Sequence, residues 1–223
     1  MKLVWDQVGE KLWETGVDRG VIFPMNSSGG YEDGAAWSGL TAVNESPSGA
    51  EPTKIYADNI VYGVVMSPEE DAFTIEAFTY PDEFAPCIGE GSLGEGVIIK
   101  QQNHAHFGFA YRSMMGNDTE GTKHGYKIHI FYDCISGSSE DSNSTINDSP
   151  EQKTFSWSVT TIPVAVTDSN GNVIADPTSS IVIDSTKVPA AKLKAIEDLL
   201  YGTESASASL PSPAQIKGIL DAA

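Results

Sequence analysis

Several segments of this chain alternate apolar and polar residues with a period of two. In residues 126–132 every second residue is tyrosine or isoleucine, whereas Lys127 and His129 have the opposite parity. Residues 107–111 and 155–159 repeat the pattern with aromatic side chains. Because successive side chains of a strand point to opposite faces, the pattern predicts β-strands. Many short strands and few helices predict a mainly β fold, a sandwich or a barrel.

Two further segments are predicted to be strands that form a hairpin. Residues 60–66 are almost continuously apolar, which is typical of a strand covered on both faces at the centre of a sheet. Residues 71–80 place Phe73, Ile75 and Ala77 on one side. The intervening Ser67-Pro68-Glu69-Glu70 reads as the turn between the two strands.

Helical spacing occurs near the end of the chain. Residues 189–201 carry Leu193, Ile196 and Leu200 on one face and are followed by Gly202, which suits a helix stop. A weaker helix is predicted at 214–222, after a Ser-, Ala- and Pro-rich stretch typical of a flexible linker. We therefore expect a β domain at 1–202 and a linker with a short C-terminal helical tail at 203–223.

Two long polar segments interrupt the predicted strands. Residues 44–52 are predicted to be an ordered contact loop, and residues 136–152, rich in Ser, Asp, Asn and Glu, a flexible polar loop.

The charge balance limits the partners. Asp and Glu number 31 against 13 Lys and Arg, giving a formal net charge of −18. Proteins that bind nucleic acid concentrate basic residues to neutralise phosphates, so this composition disfavours such binding. An acidic wall would let DNA slide past without sticking. Solubility alone is an equally good explanation of the charge.

The N-terminal residues lack the apolar run of a signal peptide, and no stretch approaches the roughly 18 apolar residues of a membrane span. Cys87 and Cys134 are the only cysteines and lie far apart, which disfavours a disulfide framework or a zinc-thiolate site. We expect synthesis in a cytoplasm and no membrane span.

Chemical motifs are weak. His104 and His106 stand two residues apart, so on a strand they point the same way and could share a metal, as in cupin-type proteins. No carboxylate follows them closely. The run Gly89-Glu90-Gly91-Ser92-Leu93-Gly94 has the spacing of a dinucleotide loop, but a strand-like segment follows it instead of a helix. No GxSxG nucleophile motif occurs. We expect no catalytic residue, metal or cofactor.

Six stretches, in their order and spacing, resemble the major tail protein, or tail tube protein, of siphophages, the long-tailed non-contractile bacteriophages. The resemblance covers residues 17–202. Its motifs are Val17-Asp18-Arg19-Gly20-Val21, Trp37-Ser38-Gly39-Leu40-Thr41, Ser46-Pro47-Ser48-Gly49-Ala50-Glu51, Tyr56-Ala57-Asp58-Asn59, Thr74-Ile75-Glu76-Ala77-Phe78-Thr79-Tyr80-Pro81-Asp82-Glu83-Phe84 and Phe107-Gly108-Phe109-Ala110-Tyr111-Arg112.

This resemblance implies a β-sandwich or barrel with a flanking helix, assembled as hexameric rings that stack into a tube. The tube would surround a tape-measure protein and join tail terminator and distal tail proteins. DNA would pass through it without specific binding. The expected location is the virion tail, after synthesis in the host cytoplasm.

The resemblance also implies where subunits meet. Residues 44–52 resemble the long loop that tail tube proteins lay against neighbouring subunits, with two aromatic residues anchoring it. Core packing is the alternative role for both aromatics. The expected inter-subunit contacts are Trp37, Ser46, Pro47, Ser48, Gly49, Glu51 and Tyr56, and the acidic candidates for the lumen are Glu76, Asp82 and Glu83.

Two other functions stay open. A cupin-like metalloenzyme would use His104 and His106 and would carry a bound metal. A β-sandwich that binds carbohydrate or a host surface would need exposed aromatic platforms and would not polymerise head to tail.

Overall fold

The computed structural model describes residues 2–139, 141–146, 148, 152–168 and 170–222. These residues form a mainly β fold with a 3₁₀ helix at Asp82–Ile88, a flanking helix α1 (Ala190–Tyr201) and a short C-terminal helix α2 (Pro213–Asp221), which confirms the predicted fold class. The strands are β1 (Leu12–Pro24), β2 (Ala35–Trp37), β3 (Leu40–Glu45), β4 (Ser48–Gly49), β5 (Pro52–Ala57), β6 (Ile60–Met66), β7 (Glu69–Glu70), β8 (Ala72–Ala77), β9 (Gly91–Gly94), β10 (Val97–Ile99), β11 (Phe107–Asn117), β12 (Gly121–Ser136), β13 (Phe155–Thr161), β14 (Val164–Thr167), β15 (Val173–Thr178) and β16 (Ser180–Asp184).

Eight strands form one antiparallel sheet in the order β2-β1-β11-β12-β13-β8-β3, which β16 joins by pairing with β12. β12 is 16 residues long, so one edge pairs with β11 while the other pairs first with β16 and then with β13. The sheet curls until β3 returns to β1. There, a Cβ placed on Gly20 would lie 2.3 Å from Leu40 Cδ1, so a larger residue at position 20 would force the Leu40 side chain to move.

The inner face of the curled sheet holds an aromatic core. Trp37 lies at its centre, with ring centroids 4.5 Å from Phe84, 5.8 Å from Phe109 and 5.6 Å from Trp157. Its indole Nε1 donates a hydrogen bond to Thr79 O at 2.8 Å. Tilted and edge-on aromatic pairs of this kind stabilise a core beyond the area they bury.

The outer face packs against the helices. Ile128 and Ile130 of β12 belong to one buried cluster with Leu193, Ile196 and Leu200 of α1, as the helical spacing predicts. The opposite parity of β12, which includes Phe131, belongs to the inner core. The alternation in residues 126–132 is therefore confirmed, but both faces of this strand are buried, because it lies between the aromatic core and α1.

The C-terminal segment is packed on this outer face. Leu210 and Ile216 are buried in the helix cluster, and Tyr132 Oη donates to Pro211 O at 2.8 Å. Gly34 N donates to Ala208 O at 2.9 Å. The composition of residues 203–213 predicts a flexible linker, and the structure differs because Leu210 is buried and the backbone carbonyls of Ala208 and Pro211 accept hydrogen bonds from the body of the protein.

The prediction for residues 60–66 is half right. They form strand β6, but β6 pairs with β5 and not with the strand at 71–80, and the β5–β6 pair lies outside the main sheet. Within the described residues β6 is not a central strand, and most of its side chains are exposed. The apolar run therefore has a reason other than burial inside this chain.

Candidate functional site

The segment between β3 and β8 forms an arm, residues 46–70, outside the curled sheet. Its strands pair with each other, β4 with β7 near the base and β5 with β6 beyond them. The arm begins and ends at adjacent points, because Ser46 N donates to Ala72 O at 2.8 Å. An isolated two-stranded ribbon is only marginally stable. The direction of this arm therefore depends on the contacts at its base.

Glu45, the last residue of β3, fixes the first end of the arm. Tyr111 Oη donates to Glu45 Oε1 at 2.7 Å, and His129 Nδ1 lies 3.1 Å from the same oxygen. The His129 ring stacks on Tyr111 with centroids 4.5 Å apart, and its Nε2 lies 3.0 Å from Ser113 Oγ. The contact with His129 lowers the pKa of the Glu45 carboxyl, and the bond from Tyr111 acts the same way against the effect of burial.

Asp71 fixes the second end of the arm. Its carboxylate accepts a hydrogen bond from Ser180 Oγ at 2.9 Å and another from the buried Ser179. Its backbone carbonyl accepts a bond from Thr161 Oγ1 at 2.9 Å. Both ends of the arm are thus hydrogen-bonded to the body of the protein, at two separate places.

The outer part of the arm is a β-hairpin with a two-residue turn. Asp58 and Asn59 form the turn with φ of 50° and 62°, both in the left-handed region. This geometry is that of the turn whose twist matches antiparallel strands, and Asp and Asn tolerate it better than other non-glycine residues.

This hairpin exposes apolar side chains on both faces. In β6, Val64 and Val65 are consecutive and point to opposite faces, and Tyr62 has the same parity as Val64, next to an irregularity in the pairing with β5. Eight large apolar residues of the hairpin are between 46% and 74% exposed: Ile55, Tyr56, Ile60, Val61, Tyr62, Val64, Val65 and Met66. Exposed apolar patches are typical of surfaces that contact a protein, a ligand or a membrane.

The energetic scale supports that interpretation. Burying one large apolar side chain completely stabilises by about 1.5–3 kcal/mol, so covering eight that are roughly half exposed amounts to on the order of 10 kcal/mol before association costs. This is comparable with the whole stability of an ordinary domain. Burial of the hairpin against a partner would therefore be a strong driving force for association.

The structure corrects the prediction for Trp37. This residue is only 3% exposed and packs inside the aromatic core, so it cannot touch a neighbouring chain while the fold is intact. Core packing, the alternative role, describes it. Tyr56 is different, because it lies on β5 two residues before the turn and is 66% exposed.

The other predicted contact residues lie at the base of the arm. Ser46, Pro47, Ser48, Gly49 and Glu51 are all exposed. Gly49 has φ of 81°, and a Cβ there would lie 2.2 Å from Pro68 O. The close approach of the two arm strands at this position therefore requires glycine. Glu51 N donates to Ser67 Oγ at 3.2 Å.

The three acidic lumen candidates lie on two parts of the surface. Glu76 is on β8, half-buried, and accepts a bond from Asn44 Nδ2 at 3.3 Å. Asp82 and Glu83 begin the 3₁₀ helix and are exposed. Their assignment to a lumen stays a prediction.

The two candidate metal histidines bind different partners. His104 Nδ1 lies 2.8 Å from Ser136 O, and a Cβ on Gly89 would lie 2.8 Å from His104 Nε2, so that ring is held against backbone. His106 Nδ1 lies 2.5 Å from Asp133 Oδ1. In the described part of the chain, no group of three or more His, Cys, Asp or Glu side chains is arranged to hold a metal.

The predicted polar loop at 136–152 is only partly covered. Ser136 ends β12 and is buried, and Lys153, just beyond the loop, forms an ion pair with Asp141. Residues 140, 147 and 149–151 lie outside the described residues. Across the described ranges, no helix combines the length and the apolar character needed to cross a bilayer.

The residues that fix the arm cannot be identified from the sequence alone. Glu45, Asp71 and His129 carry no motif, and their contacts join positions far apart in the chain. The hairpin did carry a signal, since Asp58-Asn59 separates two runs rich in apolar and β-branched residues.

No family model matches this chain, and no curated protein matches its sequence.

Proposed function

We propose that this chain is a structural virion subunit that polymerises, as stacked hexameric rings, into the tail tube of a long-tailed phage. The observation that carries the proposal is the hairpin of the arm, which exposes apolar side chains on both faces. Apolar side chains exposed on both faces of a hairpin are buried when the hairpin lies between neighbouring copies of one subunit. The resemblance of six stretches of the chain to the siphophage major tail protein supplies the kind of assembly.

The base of the arm supports this proposal. Hydrogen bonds to Glu45 and Asp71 hold the two ends of the arm at separate points of the body. An arm fixed in this way loses less conformational freedom when it binds, which favours association. In a head-to-tail contact, the arm of each copy would meet a different surface of the next, which builds rings or filaments from one kind of subunit.

The net charge of −18 suits a channel through which DNA passes during ejection. Like charges on wall and phosphates prevent adhesion. In this proposal the protein works without catalytic turnover and without a cofactor. Its partners are copies of itself, a tape-measure protein and the tail terminator and distal tail proteins, and its place is the virion tail after synthesis in the host cytoplasm.

A test replaces exposed apolar residues on one face of the hairpin. We expect the double variant Tyr62→Ser, Val64→Ser to stay monomeric in light scattering at concentrations where the unmodified chain forms large particles. Val173→Ser is the control, because Val173 is 74% exposed, as Tyr62 is, but belongs to β15 and not to the arm. Equal assembly of the double variant and the control would overturn the proposed role of the hairpin.

A carbohydrate-binding module is the second candidate function, and the exposure of Tyr56 and Tyr62 favours it. Exposed aromatic rings are the platforms that sugars stack on. In that case the chain stays monomeric, and Tyr62→Ser abolishes binding to immobilised host-cell polysaccharide without changing the particle mass.

A further inference from the structure

The outer face of the main sheet carries a pocket of about 290 Å³ beside β2. Val21 of β1 and Ala36 of β2 line it and stand directly opposite each other in the sheet. Trp37, the next residue of β2, is buried in the aromatic core, so Ala36 points away from that core and towards the pocket. Because one member of the opposed pair is only an alanine, space is left above the sheet.

Helix α1 and the C-terminal segment complete the walls of the pocket. Tyr201, the last residue of α1, lines it together with Gly34 and Ala208. Gly34 N donates to Ala208 O at 2.9 Å, which fixes the C-terminal segment at this place. These walls are small or apolar, and a cavity of about 150 Å³ is already enough to hold benzene. The pocket therefore has room for a six-membered ring or a short alkyl chain.

Arg19 also lines the pocket and brings a positive charge to it. Its guanidinium carbon lies 5.6 Å from the centre of the Tyr201 ring. The neighbouring carboxylate, Asp18, accepts hydrogen bonds of 2.7 and 2.6 Å from Arg112. Among the described residues Arg19 forms no ion pair, although Asp and Glu outnumber Lys and Arg by 31 to 13 in this chain. This cation can therefore bind an acid from outside the chain.

A β-bulge in β1 brings Arg19 to this face of the sheet. The pairing of β1 with β11 shifts between Asp18 and Val21, so that β1 contains one extra residue there. Because of this bulge Asp18 and Arg19, although consecutive, both reach the side that α1 covers. Arg19 has φ of 50°, in the left-handed region where a residue with a side chain is strained. Backbone strain of this kind is frequent at binding sites, where it positions a side chain.

We propose that this pocket binds a small free monocarboxylic acid with an aryl or short alkyl body, the carboxylate on Arg19 and the body above Ala36. A guanidinium donates two parallel hydrogen bonds to a carboxylate, and these charge-assisted bonds select an acid over a neutral molecule of the same shape. Apolar walls with one well-placed charged group are typical of small-molecule sites. The site is formed within one chain and does not use the arm, so it does not depend on the self-assembly proposed above.

Saturation-transfer NMR on phenylacetate tests the site in the full chain, because this method detects weak binding to monomers and to large particles alike. We expect phenylacetate to bind, and its neutral counterpart phenylacetamide to bind about fivefold more weakly or worse. Arg19→Gln should weaken the binding of phenylacetate by a similar factor and hardly change that of phenylacetamide. Lys11→Gln is the matched control, since it removes an exposed charge just before β1 that does not line the pocket.

Three results would overturn the proposal. They are an absence of phenylacetate binding, equal binding of the acid and the amide, and an Arg19→Gln variant that binds phenylacetate as the Lys11→Gln control does.

Filling the pocket locates the ligand. Ala36→Phe should abolish the binding of both molecules, whereas Ser38→Phe, at an exposed position that does not line the pocket, should leave it unchanged. Melting temperatures close to that of the unmodified chain show that both variants fold. A folded Ala36→Phe variant that still binds phenylacetate would place the ligand elsewhere and overturn the assignment.

The same measurement separates this site from tube formation. Phenylacetate binding by a chain that never forms rings would support the pocket and contradict the tube proposal. Assembly without phenylacetate binding by the monomer would overturn the pocket and leave the tube proposal intact. Binding that is present in the monomer and lost in assembled particles would show that a neighbouring copy covers the pocket, and would overturn its assignment to a free ligand.

Discussion

Glu45 Oε1 lies 3.1 Å from His129 Nδ1, at the point where the arm leaves the sheet. His129 is 9% exposed and belongs to the central strand β12, whereas Glu45 ends the edge strand β3. The contact therefore connects the direction of the arm to a central strand of the main sheet. A substitution that weakens this contact changes the direction of the hairpin without altering the residues of the hairpin itself.

Stability should depend on pH through Glu45. Its pKa is lowered in the folded chain, so the stabilisation it contributes is complete above the unfolded-state pKa and is lost as the pH falls through the folded one. We expect Glu45→Gln to lower the free energy of unfolding at pH 7 by about 1 kcal/mol, because the carboxylate is partly exposed. Near pH 3 the difference from the unmodified chain should shrink. Urea unfolding at both pH values measures it, and an equal difference at both would contradict the role of the charge.

The turn of the hairpin gives a second prediction. Asn59 has φ of 62°, which a β-branched residue adopts only with strain, so Asn59→Val should destabilise the hairpin by about 1–2 kcal/mol. The arm contributes no residue to either core, so the melting temperature of the monomer should hardly change. Assembly followed by light scattering should be impaired. Asn59→Gly, which accepts this φ freely, is the control and should assemble normally.

The C-terminal segment should be necessary for stability. Leu210 is 7% exposed and packs with Ile216 and Leu200, so Leu210→Ala should cost about 2–5 kcal/mol. For a chain of this size that corresponds to a fall in melting temperature of roughly 4–20 °C. Leu220→Ala is the control, because Leu220 is 38% exposed. The same cluster leads us to expect that a chain ending at Gly202 is destabilised.

Assembly should respond to salt. Copies that each carry a net charge of −18 repel one another, and raising the ionic strength from about 0.01 M to 1 M shortens the screening length from about 30 Å to 3 Å. Because the hairpin contact is apolar, we expect assembly to become faster as salt increases. Light scattering over a sodium chloride series measures this rate. Slower assembly at high salt would mean that attraction between charges, and not burial of the hairpin, dominates the contact.

Local patterns in the sequence were sufficient for the body of the fold. The alternation in residues 107–111 and 155–159 and the helical spacing of Leu193, Ile196 and Leu200 all correspond to buried faces in the structure. These features are set by the period of neighbouring residues. A pattern of that kind also identifies the chain as mainly β before any contact is known.

Features set by contacts between distant residues were not predictable in this way. The run at 60–66 has the composition of a central strand, yet β6 pairs only with β5 among the described residues, because the turn at Asp58-Asn59 joins these two strands first. Likewise, Trp37 is of a residue type that often anchors an interface. Only the packing of Phe84 and Trp157 around it shows that it belongs to the core. The type of a residue indicates that its side chain will be buried. The fold determines whether the same chain or another molecule covers it.

The measurement that tests the central claim most directly is negative-stain electron microscopy of the purified chain at high concentration, with light scattering alongside to give the mass in solution. The account predicts rings or tubes with a central hole, and their loss in the Tyr62→Ser, Val64→Ser variant. A chain that stays monomeric at every concentration, with no ring in the images, would contradict it.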